Sequence, residues 1–214
     1  MTYTGDVSVG GPADVRDLGA LTITKVAVGP MENNAYLLSS GNEQLMIDAA
    51  NEAPTLLKLI GGGGLATVVT THRHGDHWQA LSEVISSTGA ESLAHIDDAA
   101  EIPLVNRDLR EGETITVGDA ALEVIHLVGH TPGSIALLYQ DPNGTAHLWT
   151  GDSLFPGGHG KTVTVEDHIT LMDDLEAKVF NRLPDDTWFY PGHGKDSTLG
   201  NERPHLKEWR DRGW

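Results

Sequence analysis

The sequence predicts an α/β (α+β) protein in which two β-sheets pack together beneath outer helices. Two observations carry that expectation. Segments of period-two or β-branched character fall into two groups, one in each half of the 214 residues, and each group is accompanied by stretches whose apolar residues recur at helical spacing. No low-complexity tract or charge block divides the chain, and its length suits one large domain or two small ones.

Taken in order, Leu21 to Val28 alternates with period two, as a half-buried strand does. Ala35 to Leu38 and Gln44 to Ile47 read as the next strands, joined at the turn signal Ser40-Gly41-Asn42. Ala53 to Ile60 is a short helix, and Gly61 to Gly64 serves as its C-cap and connector. Ala66 to Thr70 is a β-branched strand that runs into a histidine-rich segment. After that segment Trp78, Leu81, Val84 and Ile85 mark a helix ended by Gly89. In the second half Thr114 to Val117, Ala121 to Val128, Ser134 to Tyr139 and Ala146 to Thr150 read as strands, with turns at Gly118-Asp119 and Asp141-Pro142-Asn143-Gly144. Thr164 and Asp167 form a capping arrangement ahead of a helix with Ile169, Met172, Leu175 and Val179 on one face. Thr187 to Tyr190 is a last short strand, and Pro204 to Arg212 a polar final helix.

Lys and Arg number 14 against 31 Asp and Glu, a formal charge of −17. Such a surface repels phosphate backbones and anionic lipid, which argues against nucleic-acid and membrane partners and leaves a small-molecule substrate. The chain has no cysteine, so disulfides, Cys-ligated zinc and thiol nucleophiles are excluded. Residues 1–6 carry neither a basic stretch nor the apolar core of a secretory signal, and no apolar run approaches the ~20 residues of a membrane span. The expectation is a soluble, cytoplasmic protein whose oligomeric state is open.

The run Thr71-His72-Arg73-His74-Gly75-Asp76-His77 places three histidines and an aspartate within six positions. Neutral imidazoles and a carboxylate converging at one point are what a divalent metal requires of a protein. In an extended segment, residues two apart point the same way, so His72 and His74 can serve one ion while Arg73 faces elsewhere. Gly75 lets the backbone turn, and Asp76 and His77 then approach from another direction to serve a second ion. Three further candidates follow strands: His130 in Gly129-His130-Thr131-Pro132-Gly133-Ser134, Asp152 in Thr150-Gly151-Asp152-Ser153, and His193 in Tyr190-Pro191-Gly192-His193-Gly194. Strand ends are where α/β proteins place binding sites.

This ordered set, from about Leu21 to His193, resembles the metallo-β-lactamase superfamily. The resemblance implies an αββα sandwich of two mixed β-sheets flanked by helices, one domain over residues 1–214, with a metal pair at one edge of the sheets. It implies His72, His74 and His130 on the first metal, Asp76, His77 and His193 on the second, and Asp152 bridging both. The implied cofactors are two divalent metal ions, zinc first, with iron or manganese as alternatives. Within the superfamily, the lack of Cys excludes lactamases with a cysteine ligand, and those that keep H-x-H-x-D-H generally lack the bridging aspartate present here as Asp152. Tyr190 to Gly194 followed by Ser197 to Arg203 resembles short glyoxalase II-like (hydroxyacylglutathione hydrolase-like) proteins. The implied activity is hydrolysis of a small acyl thioester by a hydroxide shared between the metals, with Asp76 as the catalytic residue that orients it. A lactonase or other ester hydrolase shares every ligand, and a mononuclear iron persulfide dioxygenase would use His72, His130 and Asp152. The chain departs from the pattern at Trp78-Gln79-Ala80 and Leu127-Val128. It also has only a short tail after His193, where full-length glyoxalase II carries a helical domain that grips glutathione.

Other residues carry weaker signals. His126 lies four residues before His130, where packing and a supporting role beside the ligands are both open. Asp48 ends a strand near the site and either supports the metal loops or caps a turn. His95, His147, His168 and His205 have no partner pattern. The stretch Phe155 to Thr162 has Phe155 where a phosphate-binding loop needs its first glycine, so a nucleotide site is rejected and a flexible loop beside Asp152, a candidate substrate lid, is expected. Lys161, Lys195, Arg203 and Lys207 are the scarce cations near the ligand segments, candidates to receive an anionic substrate group.

Overall fold

Hairpin-forming sequence builds the first sheet. In a computed structural model that describes residues 2–142 and 144–213, strands β1 (Asp14–Asp17), β2 (Thr22–Val28), β3 (Asn33–Ser40) and β4 (Glu43–Ile47) run antiparallel in chain order. Met1, Trp214 and Asn143, the third residue of the expected 141–144 turn, lie outside the described residues. Strands β5 (Leu65–Thr70), β6 (Glu91–His95) and β7 (Arg107–Leu109) then add in parallel. Parallel neighbours need crossovers. Helix α1 (Ala53–Ile60) links β4 to β5, α2 (Leu81–Thr88) links β5 to β6, and the short α3 (Ile96–Ala99) lies between β6 and β7.

The second sheet is antiparallel through β8 (Thr114–Val117), β9 (Ala120–His126), β10 (Ile135–Gln140) and β11 (Ala146–Gly151). A small hairpin of β12 (Leu154–Phe155) and β13 (Gly158–His159) follows. Helix α4 (Val165–Asp174), continued by a π-helical stretch (Leu175–Phe180), carries the chain to β14 (Trp188–Pro191), which lies parallel to β11. Strand β15 (Ser197–Thr198) and helices α5 (Leu199–Glu202) and α6 (Leu206–Arg212) complete the chain.

Three buried layers define the sandwich. Between the sheets, Leu21, Ile23, Leu38, Leu45 and Ile47 meet Leu122, Val124, Leu137 and Trp149. On the outer face of the first sheet, Leu56, Leu81 and Val84 of α1 and α2 cover Met46 and Val68. On the outer face of the second, Leu171, Met172, Leu175 and Val179 cover Ile125, Leu138 and Leu148. Full burial of each such side chain stabilises the fold by about 1.5–3 kcal/mol. The αββα sandwich of two mixed sheets is therefore as expected. Among the described residues no helix is long and apolar enough to cross a membrane.

Several elements differ from the sequence expectation. Strands β1, β6 and β7 and helix α3 are additions, since Asp14–Asp17 is mostly polar and Glu91–His95 has no β-branched residue to mark it. Ile169 is exposed, because the buried stripe of α4 runs through His168, Leu171, Met172 and Leu175, and one residue further turns the side chain by about 100°. The Thr164–Asp167 arrangement is a complete reciprocal capping box. The final helix is polar except for Leu206, partly buried against the core, and Trp209, which is buried edge-on against Phe180.

Of the histidines without a partner pattern, His147 is fully buried in β11, with its Nδ1 2.9 Å from the Tyr190 hydroxyl. Arg16 donates to that hydroxyl, which leaves its proton for His147 Nδ1. Burial, reinforced by the Arg16 charge, pushes the imidazole down from 6.5 to about 4. The native state therefore keeps His147 neutral while the unfolded chain takes up a proton near 6.5. Stability is fully present above pH 6.5 and falls by up to about 3 kcal/mol as the pH drops towards 4. Thermal unfolding at pH 7 and pH 5 is expected to show a smaller loss for His147→Gln than for the parent protein. Equal losses would refute the assignment.

Candidate metal centre

The C-terminal ends of β5, β11 and β14 and the turn after β9 all open on one edge of the sandwich. Leaving β5, the chain extends through Thr71 to His74, and His72 Nε2 comes within 3.1 Å of His74 Nδ1. His130 packs edge-on against both, with ring centroids 4.8 and 4.7 Å away. These three offer one nitrogen each within 4.8 Å of one another. The single turn Gly75–His77 then swings the next two side chains the other way. His77 Nε2 lies 3.3 Å from His193 Nε2, and Asp76 Oδ2 is 3.5 and 3.4 Å from the two. Asp152 stands between the groups, 3.4 Å from His77 Nε2, 3.5 Å from His193 Nε2 and 3.7 Å from His130 Nε2. All seven residues named from the sequence meet here.

Hydrogen bonds behind the imidazoles fix which nitrogen faces inward. A carbonyl or carboxylate can only accept, so the nitrogen touching it must carry the proton. His130 Nδ1 donates to the Lys161 carbonyl at 2.8 Å, His193 Nδ1 to that of Met31 at 3.0 Å, and His77 Nδ1 to Asp48 at 2.8 Å. Each therefore turns its Nε2 towards the centre, the arrangement that orients metal-binding histidines. Asp48 also accepts the Thr71 N–H and hydroxyl, both at 2.8 Å, which resolves its role in favour of supporting the loop.

Buried His130 Nε2 and Asp152 Oδ1 have no hydrogen-bond partner, so the donor set fits a cation. Electrostatics agree. Burial raises the Asp152 carboxyl, but His193 and His77 outweigh it and hold it well below the usual range. Burial lowers His77, yet Asp48 and Asp152 together push it up to about 10. Burial, added to the neighbouring imidazoles, drives His72 well down.

Glycine is required beside this cluster. A Cβ on Gly192 would stand 2.1 Å from Asp152 Oδ1 and 2.7 Å from His77 Cε1. Gly192→Ala is expected to displace Asp152 and weaken zinc uptake at least about tenfold, because a misplaced ligand costs more than the 10–100-fold range of outer partners only when it is lost altogether. Unfolding of the metal-free variant should show a loss of about 1–3 kcal/mol. Unchanged zinc binding by calorimetry would contradict this placement.

Sequence reasoning missed Asn33. Its Nδ2 donates to Asp76 Oδ2 at 2.7 Å and lies 3.4 Å from His193 Nε2. A buried asparagine pair directly ahead of the apolar run Ala35–Leu38 was the available signal, and Asn34 in turn donates to the Pro191 and Gly194 carbonyls that flank His193. Of the four candidate cations, Lys195 pairs with Asp6, Lys207 with Asp211, and Arg203 with Asp185 and the carbonyls of Phe180 and Leu183, while the Lys161 carbonyl accepts from His130. The expected flexible loop contains the β12–β13 hairpin, and Gly160 packs so closely on the Asp152 carbonyl that no side chain fits. His126 both packs and supports. It stacks on His95 with ring centroids 3.8 Å apart and donates to the Pro132 carbonyl in the turn that carries His130. His95, Asp97 and His126 bring one ligand atom each within 4.8 Å of one another.

The chain belongs to the metallo-beta-lactamase superfamily, whose pattern it matches over residues 28–193. It is 36% identical over 177 residues to a hydroxyacylglutathione hydrolase of Fuscovulum blasticum, an alignment covering 80% of this chain and 66% of that relative. The chain thus spans just under two thirds of that relative's length. Among solved structures, TTHA1623 in a di-iron-bound form is 30% identical with a TM-score of 0.71, covering 84% of this chain and 96% of that one. ETHE1 from Myxococcus xanthus is 25% identical with a TM-score of 0.77, covering 88% and 84%. Divalent metal binding is a property of this superfamily, and the histidine and aspartate groups described above are suited to it.

Proposed function

We propose that this protein is a metal-dependent hydrolase that loads two divalent ions, zinc first, and cleaves small acyl thioesters. The observation that carries the reading is the position of Asp152, within 3.7 Å of histidines from both half-sites. His72, His74 and His130 would hold one ion and Asp76, His77 and His193 the other. The ions would supply Lewis acidity to polarise an acyl carbonyl and the charge that makes water nucleophilic near neutral pH. The chain's own residues supply the rest. Asn33 holds the Asp76 carboxylate at 2.7 Å, and that carboxylate would accept a hydrogen bond from the attacking water and so orient it. Asp48 and the carbonyls of Met31 and Lys161 keep the imidazoles aimed. Exposed Met31, and Phe155 with its ring 6.4 Å from that of His193, give the entrance an apolar side for an acyl group. The hydroxyacylglutathione hydrolase relative supports an acylated thiol, and the di-iron-bound structure supports two ions.

Metal analysis of the purified protein combined with hydrolysis assays on thioester, lactone and β-lactam substrates tests this directly. Two metals per chain and oxygen-independent thioester hydrolysis are expected. One iron per chain with oxygen-dependent turnover would replace the proposal with a dioxygenase, and preferential lactone cleavage with a lactonase.

A further inference from the structure

The metal ligands are carried by segments from both sheets, and a second buried carboxylate joins two of them. Asp98, in α3, is 1% exposed. Its Oδ2 accepts the Arg73 backbone N–H at 2.9 Å and the Thr131 hydroxyl at 2.5 Å, and its Oδ1 accepts the Gly133 N–H at 2.9 Å. Arg73 is the residue between His72 and His74, and Thr131 directly follows His130. One side chain therefore binds the His72–His74 segment of the first sheet to the His130 turn of the second.

The fit at this point is close. A Cβ on Gly133 would stand 2.6 Å from the Asp98 backbone nitrogen and 2.7 Å from its carboxyl carbon, so the turn can approach only as glycine. The opposite side of Arg73 is also held, because the Trp78 indole N–H donates to its carbonyl at 2.8 Å. The N–H and C=O of Arg73 are thus both fixed, which sets the orientation of the backbone on either side and keeps the two flanking imidazoles on one face. Asp48 has the matching contacts for His77. A charged acceptor of three donors is strong and directional, and in a buried setting has no water to exchange with.

We propose that Asp98 is a positioning residue for the His72–His74–His130 half-site, setting its metal affinity without touching the metal. The proposal rests on the two-ion reading above. Loss of the clamp would let the His130 turn and the His72–His74 segment move independently, so affinity should fall at one site only.

The test titrates zinc into metal-free protein by calorimetry and follows the histidine ring nitrogens by ¹H–¹⁵N correlation spectra. The full chain is used as wild type, Asp98→Ala and Thr131→Val. Wild type should take up two zinc ions. In Asp98→Ala the site that shifts His72, His74 and His130 should weaken about 10–100-fold, while the site that shifts His77 and His193 stays within about twofold. Thr131→Val removes one of the three donors, together with the Thr131 hydroxyl's bond to Ser134 Oγ, but leaves the Arg73 and Gly133 N–H groups on Asp98. It should show a smaller loss at the same site, which keeps the proposal testable if Asp98→Ala does not fold. Equal weakening of both sites, or unchanged affinities with only a lowered unfolding midpoint, would overturn the assignment and leave the two-ion reading standing. A wild type that takes up no zinc would overturn the two-ion reading and the assignment with it.

Discussion

Replacing Asp152 with alanine is expected to lower turnover by about 10³-fold or more and to weaken both metal positions together. Its carboxylate lies within 3.7 Å of His77, His193 and His130, and so reaches both half-sites. A bound divalent ion contributes several kcal/mol to stabilising charge in the transition state, and each 1.36 kcal/mol is a factor of ten. Removal of a residue that holds both ions should therefore cost more than the 10–100-fold in affinity that follows loss of an outer partner. The metal-free variant should still fold, because the neighbours of Asp152 are loop side chains and the three apolar layers do not include it. Metal content, zinc affinity and kcat, measured together, check this. Parent-like turnover, or loss of one ion only, would sink the bridging assignment.

Asp48→Ala is expected to lose about 3–5 kcal/mol of stability, together with about 10–100-fold in zinc affinity at the His77 position. Asp48 is 2% exposed and accepts three hydrogen bonds, and its removal strands the Thr71 N–H, the Thr71 hydroxyl and His77 Nδ1. Alanine also meets a backbone cost, since position 48 has φ 57, a region open to Asp and Asn but unfavourable for Ala. Asp48→Asn keeps the backbone preference and one acceptor oxygen. It should recover part of the stability but less of the affinity, because its amide can no longer hold every donor. Chemical unfolding of the metal-free proteins separates the two effects. Equal destabilisation by Ala and Asn would show that backbone strain at position 48 is unimportant.

The ligand set was legible because it is local. H-x-H-x-D-H places four groups in one turn of chain, and His130, Asp152 and His193 each follow a readable strand and sit among Gly or Pro. Most strand bounds were legible for the same reason, since the alternation over residues 21–24 and the β-branched run 66–70 mark extended chain, although residues 25–28 are all buried. What was not legible lacked either periodicity or proximity. Strand β6 joins the sheet through backbone pairing with β5, although its own residues include Glu91, Ser92 and His95. Ile169 fitted a helical stripe by spacing and lies outside the one that packing selects.

Residue chemistry and short spacing alone thus pointed to two groups of candidate metal ligands and to an acidic surface. Tertiary structure decided how those ligands are held. Asn33 reaches Asp76 across 43 positions, Asp48 reaches His77 across 29, and Asp98 reaches Thr131 across 33. A hydrogen bond is specific to a few tenths of an ångström in space and indifferent to separation along the chain. Pairings of that kind exist only once the two sheets have closed on each other.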